Sequence, residues 1–133
     1  MLRLALTGLL FVGGLFFVIY GVAFLFVPDT IAPGFGLEPD NPQGWATLRA
    51  DMTAFFLVGG GCMMLGAWRR SGDLLLVPAL LFGIAFCGRI VSAVGDGTYD
   101  SFWLPMMVEG AVVIISLMGH RLLPHHKVEE IAG

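Results

Sequence analysis

The stretch Leu4–Val27 reads LALTGLLFVGGLFFVIYGVAFLFV, without one charged side chain. A helix that crosses a hydrocarbon core of about 30 Å needs about 20 such residues, at about 1.5 Å rise each. Three further runs have similar character. One spans about 46–67 and is charged only near its start, at Arg49 and Asp51. The next, Leu74–Val94, is interrupted by Arg89, and the last, about 102–119, by Glu109. No period-two alternation runs through them, which argues against an outer-membrane barrel. In lipid, backbone polar groups must bond within their own segment, so each run is expected to be a helix. The expected fold is all-α: an integral membrane four-helix bundle forming a single transmembrane domain over residues 1–133. Arg3 before the first run looks like a secretory signal, but the run is too long and no A-x-A site follows. A retained span is expected.

Composition agrees. The chain is 57% hydrophobic and 13% charged, against roughly 25% charged in soluble domains, and its mean hydropathy is +0.87. A small soluble domain cannot bury that much apolar surface. Seven Lys+Arg against ten Asp+Glu leave no basic patch, so nucleic acid is excluded as a partner.

The connections differ in kind. Pro28–Gly44 contains Pro28, Pro33, Gly34, Gly36, Pro39, Pro42 and Gly44. It reads as a repeatedly broken, mobile loop, with room for one short turn at Asp29-Thr30 and for Phe35 and Leu37 to reach the interface. Arg69–Asp73 and Gly95–Ser101 read as tight polar turns. Four spans put both termini on one side, which carries Arg3, Arg69, Arg70, Arg121 and Lys127. The opposite loops carry Asp29, Glu38, Asp40, Asp96 and Asp100 and no Lys or Arg. Basic short loops stay cytoplasmic, so both termini, with a tail over 120–133, are expected inside. Trp45 and Trp68 bracket the second span as interface anchors.

Charges within spans carry the functional information. Such residues cost about 2.5–3.5 kcal/mol at a bilayer centre on insertion scales, and they usually face the bundle interior and pair. Arg89 lies six residues before Gly95, and Glu109 eight after Ser101. In an antiparallel hairpin these depths are about 9 and 12 Å below the turn. Opposite charge at matched depth predicts a pair. Arg49 and Asp51 on the second span, and Asp96 seven residues after Arg89, extend the expectation to one outward polar cluster of Arg49, Asp51, Arg89, Asp96 and Glu109. Ion pairs that fix helix register and a ligand or ion site opening outward both fit that cluster. A proton relay fits less well, because no His lies within a span.

Small residues, such as Ala79-xxx-Gly83-xxx-Cys87 and Gly59-Gly60-Gly61, mark close helix packing. Cys62 and Cys87 sit at different depths, beyond disulfide reach, and read as packing residues. His125-His126 after Pro124 offers weak metal binding, but with no Cys or carboxylate at ligand spacing nearby a solvated tail is the better reading, and no metal site or cofactor is expected. No Ser-His-Asp, H-E-x-x-H, C-x-x-C or phosphate-loop pattern is present.

Leu48-Arg49-Ala50 before a Gly-rich span, then Gly88-Arg89, Asp96-Gly97 and Glu109 before an apolar run, resembles a bacterial family of small four-helix membrane proteins, domain of unknown function 4345. The resemblance runs from the first span to about Gly119. One departure is Thr47, where the pattern has an acidic residue; Asp51 is a substitute partner for Arg49. The resemblance implies a four-helix bundle in the bacterial inner membrane and no particular activity. The expected role is a non-enzymatic bundle that binds a lipid or small ligand at the polar cluster or serves as an accessory subunit. The alternative is an oligomeric transporter or channel component. Membrane lipids are the expected partners, with a homo-oligomer or larger membrane complex as the assembly.

Overall fold

The computed structural model describes residues 1–125. Those residues are helical, with no strands. Helices α1 (Leu2–Phe26), α2 (Pro28–Ile31), α3 (Pro42–Trp68), α4 (Leu76–Gly95) and α5 (Trp103–Leu122) follow one another, with 3₁₀ turns at Ala32–Phe35 and Asp73–Leu75. Four helical segments are long and apolar enough to cross a membrane. They form a closed ring: α1 and α3 share the most extensive interface, α3 packs less extensively on α4, α4 packs on α5, and α5 returns to α1.

Each long helix turns one stripe inward. On α1 the buried residues are Leu6, Leu10, Gly14, Phe17, Gly21 and Phe24, at steps of three and four. On α5 they are Glu109, Val112, Ser116 and Gly119. That spacing keeps one face of a helix on its neighbours. The other faces expose Leu9, Val12, Ile19, Ile84, Val91, Val94, Leu104, Met107 and Ile114. A soluble monomer does not present apolar surface on this scale, whereas lipid covers it without penalty.

The α1–α3 seam is a backbone contact. A Cβ added to Gly14 would stand 2.6 Å from the Gly60 carbonyl oxygen, and one added to Gly60 2.6 Å from that of Gly14. Above this seam Phe17 and Phe24 each stack on Phe56, with ring centroids 5.8 Å apart in both pairs. Phe82 of α4 closes on Phe17 at 4.7 Å.

Boundaries depart from expectation in two places. The Pro/Gly-rich connection contains the short turn expected at Asp29-Thr30, as α2, but it packs on the bundle rather than being broken throughout. Val27 is followed by α2, Ala32 is fully buried, and the Leu37 N–H donates to the Ala32 carbonyl at 3.0 Å. Phe35 lies edge-on to Phe24 and Phe56 at 5.2 and 5.8 Å. Pro28 and Pro33 sit in first turns, where a missing N–H costs nothing, so prolines that break a long helix start short ones. For the same reason α3 begins at Pro42 instead of 46, with Asn41 Oδ1 accepting from the Gly44 N–H at 2.8 Å.

The second departure is at the C-terminal side. Helix α5 runs to Leu122, and Leu123 is buried in the core, so the chain after 119 is not yet a tail. The turn after α3 closes over it: the Gly72 N–H donates to the Pro124 carbonyl at 2.9 Å. His126, Lys127, Glu129 and Glu130, and with them most of the expected tail, lie outside the described residues. Both cysteines are free.

Candidate functional site

Helices α4 and α5 form an antiparallel hairpin joined by Asp96–Phe102. Arg89 stands six residues before the end of α4, and Glu109 six residues after Trp103, which opens α5. The shared turn brings both to one depth, and the α4–α5 packing brings their faces together. Arg89 Nε donates to Glu109 Oε1 at 2.7 Å. An arginine–carboxylate contact at this distance has the geometry of a charge-assisted hydrogen bond, the stronger kind.

The two partners differ in burial. The Glu109 side chain is 8% exposed and that of Arg89 36%. Glu109 sits on the inward stripe of α5, and its Oε2 is buried with no partner among the described residues. Arg89 lies at the lip. Its remaining guanidinium N–H groups make no hydrogen bond among the described residues. Arg89 lines a cleft of about 60 Å³ together with Ser92, Ala93, Gly97, Tyr99, Phe102 and Met106. The Thr53 and Ser116 hydroxyls are likewise buried without a partner among the described residues.

The other expected members of the cluster are elsewhere. Asp96 is exposed at the end of α4 and accepts a 2.9 Å hydrogen bond from Ser92 Oγ, one turn earlier. Arg49 and Asp51 are exposed and make no side-chain hydrogen bond or ion pair among the described residues. Asp51 borders a separate open depression of about 540 Å³ at the start of α3, beside Leu37, Pro39, Gln43 and Met52. A single cluster of five is therefore corrected to a pair with Asp96 nearby on α4. Equal depth is necessary for contact but does not suffice: α3 packs chiefly on α1 and much less on α4. Its inward stripe is Leu48, Thr53, Phe56, Gly59, Gly60 and Met63, and Asp51 is rotated off it.

A second convergence was not legible from spacing. Asp73 precedes α4, His120 is in the last turn of α5, and His125 follows it. His125 Nδ1 lies 2.7 Å from Asp73 Oδ1, so His125 is held on the protein rather than free in solvent. His120 Nδ1 lies 2.9 Å from the Gly72 carbonyl. One signal for this was available: the start of α4 and the end of α5 fall at the same end of an antiparallel hairpin.

A sequence-family model described as Domain of unknown function (DUF4345) matches residues 5–120. No curated protein and no solved structure matches.

Proposed function

From the premise that the chain belongs to the family of the domain of unknown function (DUF4345), we propose that it is a non-catalytic multi-pass membrane protein that holds an anionic lipid headgroup at Arg89. The observation that carries this reading is the half-used guanidinium. Arg89 is anchored through Nε to Glu109, its other N–H groups make no hydrogen bond among the described residues, and the residue lines a cleft. A planar guanidinium with free N–H groups matches the oxygens of a phosphate. Val91, Val94, Leu104 and Met107 are exposed on the same two helices and offer apolar surface for acyl chains. Glu109 fixes the Arg89 side chain, so less conformational entropy is lost when the headgroup arrives.

The proposed setting is a bacterial inner membrane with both termini cytoplasmic. Arg3, Arg69, Arg70 and Arg121 mark one end of the bundle and Asp29, Glu38, Asp40, Asp96 and Asp100 the other, which is the asymmetry of the positive-inside rule. Arg89 then addresses the outer leaflet.

The test is native mass spectrometry of the detergent-purified protein given equal phosphatidylglycerol and phosphatidylcholine. Wild type should retain phosphatidylglycerol preferentially. The double variant Arg89→Met/Glu109→Met, which leaves no buried charge, should fold and lose the preference. A folded double variant that keeps it would overturn the assignment.

A further inference from the structure

The end of the bundle remote from Arg89 carries a second constellation. Arg89 is 16 residues beyond Asp73 along the chain, about 24 Å if the whole stretch were α-helical. Asp73, His120 and His125 each offer one ligand atom, and these atoms all lie within 4.8 Å of one another. We propose that these three residues form a binding site for a divalent transition-metal cation of the zinc class, which ties the chain after α5 to the turn between α3 and α4.

Three features support a built site. The first is the donor set. Two imidazole nitrogens with one carboxylate oxygen suit zinc and its first-row neighbours, whereas magnesium and calcium favour all-oxygen sets. The second is orientation. The Gly72 carbonyl can only accept, so the 2.9 Å bond places a proton on His120 Nδ1 and leaves the lone pair on Nε2. A backbone carbonyl that fixes the tautomer of a ligating imidazole is a common outer-shell arrangement. The third is the scaffold. Leu123 is buried in the core, and Pro124 accepts from the Gly72 N–H, so the two residues before His125 are pinned. Gly72 leaves the space: a Cβ there would stand 2.9 Å from His125 Cε1 and 2.7 Å from the His120 carbonyl oxygen.

The geometry requires only local adjustment. Tetrahedral zinc with bonds of about 2.0–2.2 Å sets its ligand atoms about 3.3 Å apart. Asp73 and His125, now 2.7 Å apart, would open slightly as the cation replaces the proton between them. His120 would close in. The side chains of Asp73 and His125 are 49% and 43% exposed, which gives the cation access from solvent. Three protein ligands leave at least one position for water.

The probe is Zn²⁺ alone, titrated calorimetrically into the untagged full chain in detergent, with Co²⁺ absorption as a second readout of nitrogen and oxygen ligation. One Zn²⁺ per chain should bind and raise the unfolding temperature. Asp73→Asn and His120→Ala should each weaken binding by at least about tenfold, in line with what loss of even outer-shell partners costs. Asp73 is half exposed, so Asp73→Asn tests the site without risk to the core. His126→Ala should leave binding unchanged. Wild-type affinity in both Asp73→Asn and His120→Ala, or loss of binding on His126→Ala alone, would overturn the assignment.

Discussion

Removing Arg89 should damage the protein far more than removing Glu109, although the two share one bond. The pair is joined at 2.7 Å, but Glu109 is 8% exposed and Arg89 36%. In Arg89→Met the carboxylate is left inside the bundle with neither oxygen partnered, because Oε2 already has no partner among the described residues. Breaking a buried pair in this way costs about 3–5 kcal/mol. In Glu109→Met the charge left behind stands at the lip, on a long stem that can carry it to the interface. The loss should then be about 1 kcal/mol, nearer the value of an exposed pair. Arg89→Met/Glu109→Met removes both charges and should fall within about 1 kcal/mol of wild type, since apolar replacement of a buried pair is often neutral. The assay is equilibrium unfolding in mixed micelles, followed by helical circular dichroism, on all four proteins as a double-mutant cycle. Strict additivity, with the double variant as weak as the sum of the singles, would refute the coupling. Equal single losses would refute the burial asymmetry as its cause.

Gly14→Ala should cost about 1–3 kcal/mol through overpacking, because its Cβ would meet the Gly60 carbonyl oxygen and the Met64 amide nitrogen, and backbone cannot turn aside. Gly8→Ala, which meets nothing within 4 Å, should cost nothing in the same unfolding assay; equal effects would refute the close seam. Phe35→Ala should speed hydrogen exchange at Gly36 and Leu37 in nanodiscs, because the ring holds their segment on Phe24 and Phe56; unchanged rates would mean that the segment is held in some other way. Alkaline phosphatase fused after Gly133 should be inactive and the same reporter inserted at Asp40 active, following the distribution of Arg3, Arg69, Arg70 and Arg121. Activity at Gly133 would invert the proposed orientation.

The four long helices were legible because the requirement behind them is local. A bilayer demands about 20 apolar residues from one continuous segment and leaves no backbone group to a distant partner. Leu4–Val27 states this without reference to any other part of the chain. The Arg89–Glu109 contact was legible for a related reason: both residues belong to one hairpin, and counting from a shared turn fixes depth on two adjacent helices. Where a residue faces, and which helix faces it, is not a count along the chain. Arg49 and Asp51 have suitable depth but lie on α3, whose closest neighbour is α1, and only the packing of the ring excludes them from the pair. The prolines of the first connection read as breaks, yet Phe35 folds back onto Phe24 and Phe56 because the aromatic core leaves a place for it. Asp73, His120 and His125 meet across 47 and 52 residues of chain. That meeting depends on Leu123 being drawn into the core and on the Gly72 turn closing over the end of α5, which is decided by tertiary packing and by nothing within either segment alone.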